Sequence, residues 1–102
     1  MRPARLLRAG ELTPGQPTPG MAREEAFVSA GSWTGLVHTE PGRVSGWHHH
    51  GGYETTIYVV TGRFRLEHAD GAATAVLDAG PGDFLHIPPA LVHRESNPGR
   101  DR

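Results

Sequence analysis

Apolar and polar positions alternate along this chain in short runs. Over residues 63–68, Phe64 and Leu66 fall between Arg63, Arg65 and Glu67, so a strand there presents one apolar and one charged face. Stretches of strand length rich in aromatic or β-branched residues recur at 24–30, 33–39, 44–50, 55–60, 63–68, 74–77, 84–87 and 91–95. Turn formers separate them about every ten residues, among them Pro41-Gly42, Gly51-Gly52, Thr61-Gly62, Asp70-Gly71, Pro88-Pro89 and the run Gly80-Pro81-Gly82-Asp83. That spacing predicts an all-β domain, an antiparallel sandwich or barrel whose hairpins stack over one core. No stretch supports a helix of ten or more residues.

The first 22 residues break this pattern, because the run from Thr13 to Gly20 is crowded with proline and glycine and has no amphipathic period to bury. Residues 1–22 are therefore expected to be an arm and linker, and residues 23–102 a single domain, the only economical division of 102 residues. Fourteen glycines and nine prolines reinforce the choice of short strands over a helical bundle. Ten arginines against eleven acids leave a formal charge of −1, which gives no electrostatic footprint for nucleic acid. Apolar runs of four or five residues fall far short of the roughly 20 needed to cross a bilayer. With no leader-like segment at the start, the expected location is the cytoplasm. The absence of cysteine removes disulfides, thiolate metal sites and cysteine nucleophiles, so any metal must sit on nitrogen and oxygen.

Histidine is the residue type that carries candidate chemistry. His48 and His50 are one residue apart on an expected strand, so their imidazoles project from the same face while His49 points to the other. Glu54 follows the flexible Gly51-Gly52-Tyr53 turn, which can return a carboxylate to the two rings, and His93, after the Pro88-Pro89 corner, can join from a neighbouring strand. Two or three neutral imidazoles with one carboxylate suit a divalent first-row ion such as manganese, iron, nickel, copper or zinc. His38, His49 and His68 are expected to face solvent or to serve packing. His86 lies in phase with Phe84 and is either an interior pocket residue or a core histidine, and Tyr58, Trp33 and Phe27 are candidates for the apolar walls of a ligand site or for plain core. No catalytic base is assigned.

The stretch from Gly42 to Gly62 reads G-x5-H-x-H-x3-E-x7-G, and the stretch from Gly82 to Asn97 reads G-x5-P-x-A-x2-H-x3-N. In this order and at this distance, the pair resembles the two conserved motifs of the cupin superfamily. The resemblance covers a little over a third of the chain, and the segment between the motifs has the length of a small cupin's. It implies a small antiparallel β-barrel or double-stranded jelly roll whose interior binds a metal through His48, His50, Glu54 and His93. Gly62 and Gly82 stand where tight corners favour positive φ, and Asp83 is placed to close its turn.

Three departures accompany the resemblance. Counted back from Gly62, the family's commonest spacing puts the glutamate at Thr55, so Glu54 needs a one-residue bulge to reach the metal, and a three-histidine site like that of cupins related to thiol dioxygenases is an open variant. Ala90 stands in place of a glycine, a change the backbone absorbs if φ there is negative. The chain reaches Arg102 without the further strand that such cupins usually add, so the N-terminal arm, exchanged between the subunits of a homodimer, is expected to cover the open edge. The resemblance implies a metal-dependent enzyme of oxygenase type acting on a small organic substrate. It also leaves open a non-catalytic module that binds a metal or metabolite, and a metal-free barrel like those of sugar-nucleotide epimerases, because the fold does not fix the reaction.

Overall fold

A computed structural model describes residues 3–102, so Met1 and Arg2 of the expected arm lie outside the described residues. The chain forms two compact units, one up to His38 and one from Thr39 to Arg102.

The first unit begins with a single 3-10 turn, Ala9–Glu11, followed by β1 (Thr13–Pro14), β2 (Met21–Val28) and β3 (Trp33–Thr39, whose last residue opens the second unit). They form one sheet in the order β1-β2-β3, in which Thr13 pairs with Glu25 and Pro14 with Glu24. The breaker-rich run thus contributes a two-residue edge strand, where a proline without an amide hydrogen is tolerated. Pro19 and Gly20, the latter at φ +76°, form the turn that returns the chain, closed by Met21 N–H donating to Thr18 O at 2.9 Å. Across β2 and β3 the indole of Trp33 donates to Glu25 at 3.0 Å, and His38 meets Glu24 at 2.7 Å. Gly35 allows this approach, since a Cβ there would lie 2.1 Å from Glu24 O.

The second unit holds β4 (Thr55–Tyr58), β5 (Phe64–Asp70), β6 (Ala73–Ala79), β7 (Phe84–Ile87) and β8 (His93–Ser96). β4 pairs with β7, and β5 lies between β6 and β8, all antiparallel. Period-two alternation decides which side chains go inside. Leu66 is buried while Arg65 and Glu67 turn out to meet Asp78 and Arg94, and Leu85 and Ile87 are buried while Phe84 and His86 are exposed. The core consists of Val59, Leu66, Ala79, Leu85 and Ile87, with Ile57, Phe64 and Leu91 packed against it. Leu66 and Ile87, each 1% exposed, contribute about 2 kcal/mol apiece by leaving water.

Two turns place the strands as their sequence predicts. Gly62 and Gly82 have φ of +77° and +90°, and the Asp83 carboxylate accepts the Gly80 amide at 2.9 Å. Ala90 does not follow expectation, because its φ is +62°, a conformation that costs a residue with a Cβ about 1 kcal/mol. Its amide donates to Gly51 O at 2.8 Å, which holds the turn in place. The expected strand over 44–50 is also absent as a regular element. Instead Val44 bridges Ser96 and His48 bridges His93, so five residues stand against four, and the extra residue makes a bulge along β8. Ser45 stabilises the bulge by accepting the Glu95 amide on its hydroxyl at 2.8 Å. Among the described residues the sheets are three and open, and none closes into the expected barrel.

Candidate metal centre

Four side chains converge beside the bulge. One potential ligand atom from each of His48, His50, His93 and Glu95 lies within 4.8 Å of all the others. The ring centroids of His48, His50 and His93 are 5.3, 4.4 and 4.7 Å apart. His48 reaches the cluster because its backbone bridge to His93 sets the two on one face, and His50, two residues on, shares it. Glu95 lies two residues beyond His93 on β8 and is on that face by the same alternation.

Backbone carbonyls fix which nitrogen faces the centre. A carbonyl only accepts, so His48 Nδ1–H donates to Gly46 O and His93 Nδ1–H to Leu91 O, each at 2.8 Å. In the neutral ring, the lone pair then sits on Nε2, the arrangement in which metal-ligating histidines are usually held. His50 Nδ1 shares a hydrogen bond of 2.8 Å with Thr55 Oγ1. His49 has the opposite pattern, since its Nδ1 accepts the Gly51 amide at 3.0 Å and the side chain is exposed.

His93 shows that these donors fit an ion. Its side chain is 0% exposed, and its Nε2 is buried with no hydrogen bond. Such an orphaned polar atom costs about 1–3 kcal/mol unless something meets it. Glu95 Oε1 stands 3.5 Å away, its side chain 11% exposed. That is too long for a hydrogen bond, but two donors about 2.1 Å from one ion at a tetrahedral angle are about 3.4 Å apart.

Of the four expected ligands, the structure brings together His48, His50 and His93, and it does not bring Glu54. Glu54 instead meets His86 Nε2 at 2.5 Å, with side chains 67% and 53% exposed. The reason is the alternation along β4. Thr55, paired with Ile87, faces His50, so Glu54 falls on the opposite face with Thr56 and, across from it, His86. His86 is accordingly neither an interior pocket residue nor a core histidine. Tyr58 and Phe84 stack at 4.7 Å on that same outer face, 53% and 71% exposed, so Tyr58 walls no buried site. Trp33 and Phe27 belong to the first unit, where Trp33 is exposed and Arg5 covers the Phe27 ring at 4.8 Å. Glu95 takes the carboxylate's place in the cluster. His93-x-Glu95 has the same one-residue spacing as His48-x-His50, and that pattern is the sequence signal that points to it.

A small all-β domain whose centre offers three imidazoles and a carboxylate is the class that fold and site define. Residues 35–102 match the cupin domain family, and the chain belongs to it. A CENP-C domain of Drosophila melanogaster is similar in fold, with a TM-score of 0.80 at 15% identity over 94% of this chain and 70% of that one. So is Drosophila melanogaster CENP-C bound to CAL1, with a TM-score of 0.81 at 17% identity over 94% and 78%. A protein of unknown function from Acidithiobacillus ferrooxidans gives 0.64 at 24% identity over 86% and 81%. No curated protein sequence matches the chain.

Proposed function

We propose that this chain is a metal-binding cupin module in which His48, His50, His93 and Glu95 hold one divalent first-row transition ion and present it to a small organic ligand. The observation that carries this reading is the fully buried, unbonded Nε2 of His93 beside a nearly buried carboxylate at 3.5 Å. Without a cation the pair is a costly arrangement, and with one it is a ligand set. Bound there, such an ion supplies a Lewis acid with positions left for a small ligand. What supports binding over turnover is that the groups of the cluster are accounted for as donors, while the other carboxylate–imidazole pair lies on the opposite face of β4. CENP-C, a protein of similar fold, is known in a complex with CAL1, which supports this fold as a scaffold for binding. A metal-dependent oxygenase is the second reading, favoured by a donor set of four that leaves two positions open on a six-coordinate ion.

Elemental analysis of tag-free protein purified without added metal tests the proposal. About one ion per chain is expected, lost in the His48→Ala/His50→Ala double variant while circular dichroism shows the fold retained. Metal retained by the double variant, or less than about a tenth of an ion in the parent after incubation with each candidate, overturns it. Oxygen consumption by the loaded protein with small phenols, thiols or diketones replaces the module by the oxygenase.

A further inference from the structure

We propose that His68 is a ligand-binding residue beside the metal centre, and that it makes the site selective for small α-hydroxy acids. The inference rests on the metal-binding reading and names the ligand class of that same site. The register of the strands is its starting point. His68 on β5 is the cross-strand partner of His93 on β8, and His93 in turn bridges His48. Paired residues on neighbouring strands share a face with their Cβ atoms about 5 Å apart, so the three histidines form one row. On β6, the partner of His68 is Ala75, which contributes only a methyl group beside the ring. His68 is half-buried on the face of β5 that carries Leu66, away from the outer face where Arg65 and Glu67 form ion pairs with Asp78 and Arg94.

His68 does not belong to the group of mutually close donors, so its role lies outside the ion's own ligands. Its Nδ1–H donates to Ala69 O at 2.8 Å, which leaves Nε2 as a hydrogen-bond acceptor in the neutral ring. The other two histidines of the row have no N–H to offer it, because His48 and His93 each give theirs to a backbone carbonyl. Water can serve that acceptor in the free protein, and the hydroxyl of a bound ligand takes the water's place. Three neutral imidazoles and one carboxylate leave a divalent ion with a single net positive charge, which a monoanion matches. A carboxylate on the ion with a hydroxyl on the adjacent carbon supplies both the anion and the O–H.

The test uses the full chain loaded with cobalt(II), titrated with glycolate and with acetate and followed by visible absorption. In His68→Leu, glycolate binding is expected to weaken about five- to tenfold, the effect of one lost hydrogen bond, with acetate changed less than about twofold. His68→Gln, whose side-chain carbonyl still accepts, retains most of the glycolate affinity. Equal weakening of both acids in His68→Leu, or no change in either, overturns the assignment while leaving the metal reading intact. A parent chain that takes up no cobalt overturns the metal reading and this one with it. If His68→Leu fails to fold, His68→Phe keeps the bulk, lacks the acceptor and carries the same comparison.

Discussion

Two carboxylate–imidazole pairs stand in the second unit, built from the same residue types and opposite in nature. His93 and Glu95 are neighbours on one strand, 0% and 11% exposed, and 3.5 Å apart with no hydrogen bond between them. His86 and Glu54 come from paired strands, both more than half exposed, and touch at 2.5 Å. The exposed pair completes itself. Each partner satisfies the other, water serves what remains, and a contact of this kind contributes little. The buried pair is incomplete, since the desolvated Glu95 carboxylate wants a counter-charge and the His93 Nε2 lone pair a partner, and neither supplies the other's need at that distance. The type of residue therefore does not mark the site; burial combined with an unmade bond does.

The largest effect that separates the pairs is metal affinity. Glu95→Gln is expected to lower it about a hundredfold, the upper end of the loss typical of a partner that only orients a ligand, while Glu54→Gln changes it less than about twofold. Competition titration of cobalt against a chromophoric chelator measures both. Equal losses in the two variants would dissolve the contrast, and a loss confined to Glu54→Gln would reverse it.

Much of this contrast is legible in the sequence. The His48-x-His50 spacing places two rings on one face, and the second motif supplies His93, because strand alternation is a local rule that needs only the element type. The carboxylate was open to error because alternation is unforgiving of a single residue. Thr55 rather than Glu54 faces His50, and alternation along β4 does not say which glutamate replaces it; the His93-x-Glu95 spacing on β8 does. Glu95 enters through the pairing of β8 with the bulged 44–48 segment, a contact across half the chain. The bulge itself was hidden, since Ser45-Gly46-Trp47 reads as part of a continuous strand and becomes irregular only against its partner. The turn glycines at 62 and 82 were legible because positive φ selects them directly, whereas Ala90 at +62° shows tertiary context overriding that preference.

Ala90 bears on the comparison because only one pair is served by its turn. It precedes Leu91, whose carbonyl accepts His93 Nδ1–H, so its strained conformation belongs to the scaffold of the buried pair. Ala90→Gly is expected to raise stability by about 1 kcal/mol, read as a higher denaturation midpoint at an unchanged slope. Metal affinity should move less than about threefold. A lower midpoint would mean that the turn is not strained, and that the buried pair is held at no backbone cost.

The smallest effect comes from a third kind of pair, on the outer face of β5. Glu67 is held below the usual carboxylate range chiefly by its hydrogen bond from Arg94, with the guanidinium charge adding to it, and Asp78 is lowered in the same way by Arg65. A carboxyl whose folded-state pKa is depressed stabilises the fold at pH above its ordinary value, and this contribution disappears as pH falls through the lower folded value. The loss therefore falls on the acid side, below the ordinary carboxylate range, and screening keeps it small because Arg65, Asp78 and Arg94 keep more than a third of their side chains in water. Urea midpoints at pH 7, 5 and 3 for the parent and Glu67→Gln read it. The variant is expected to be slightly less stable at pH 7 and to lose less on acidification. Identical profiles would show that Arg94 is held by its stacking over Trp47, 4.8 Å from the ring centroid, rather than by its carboxylate partner.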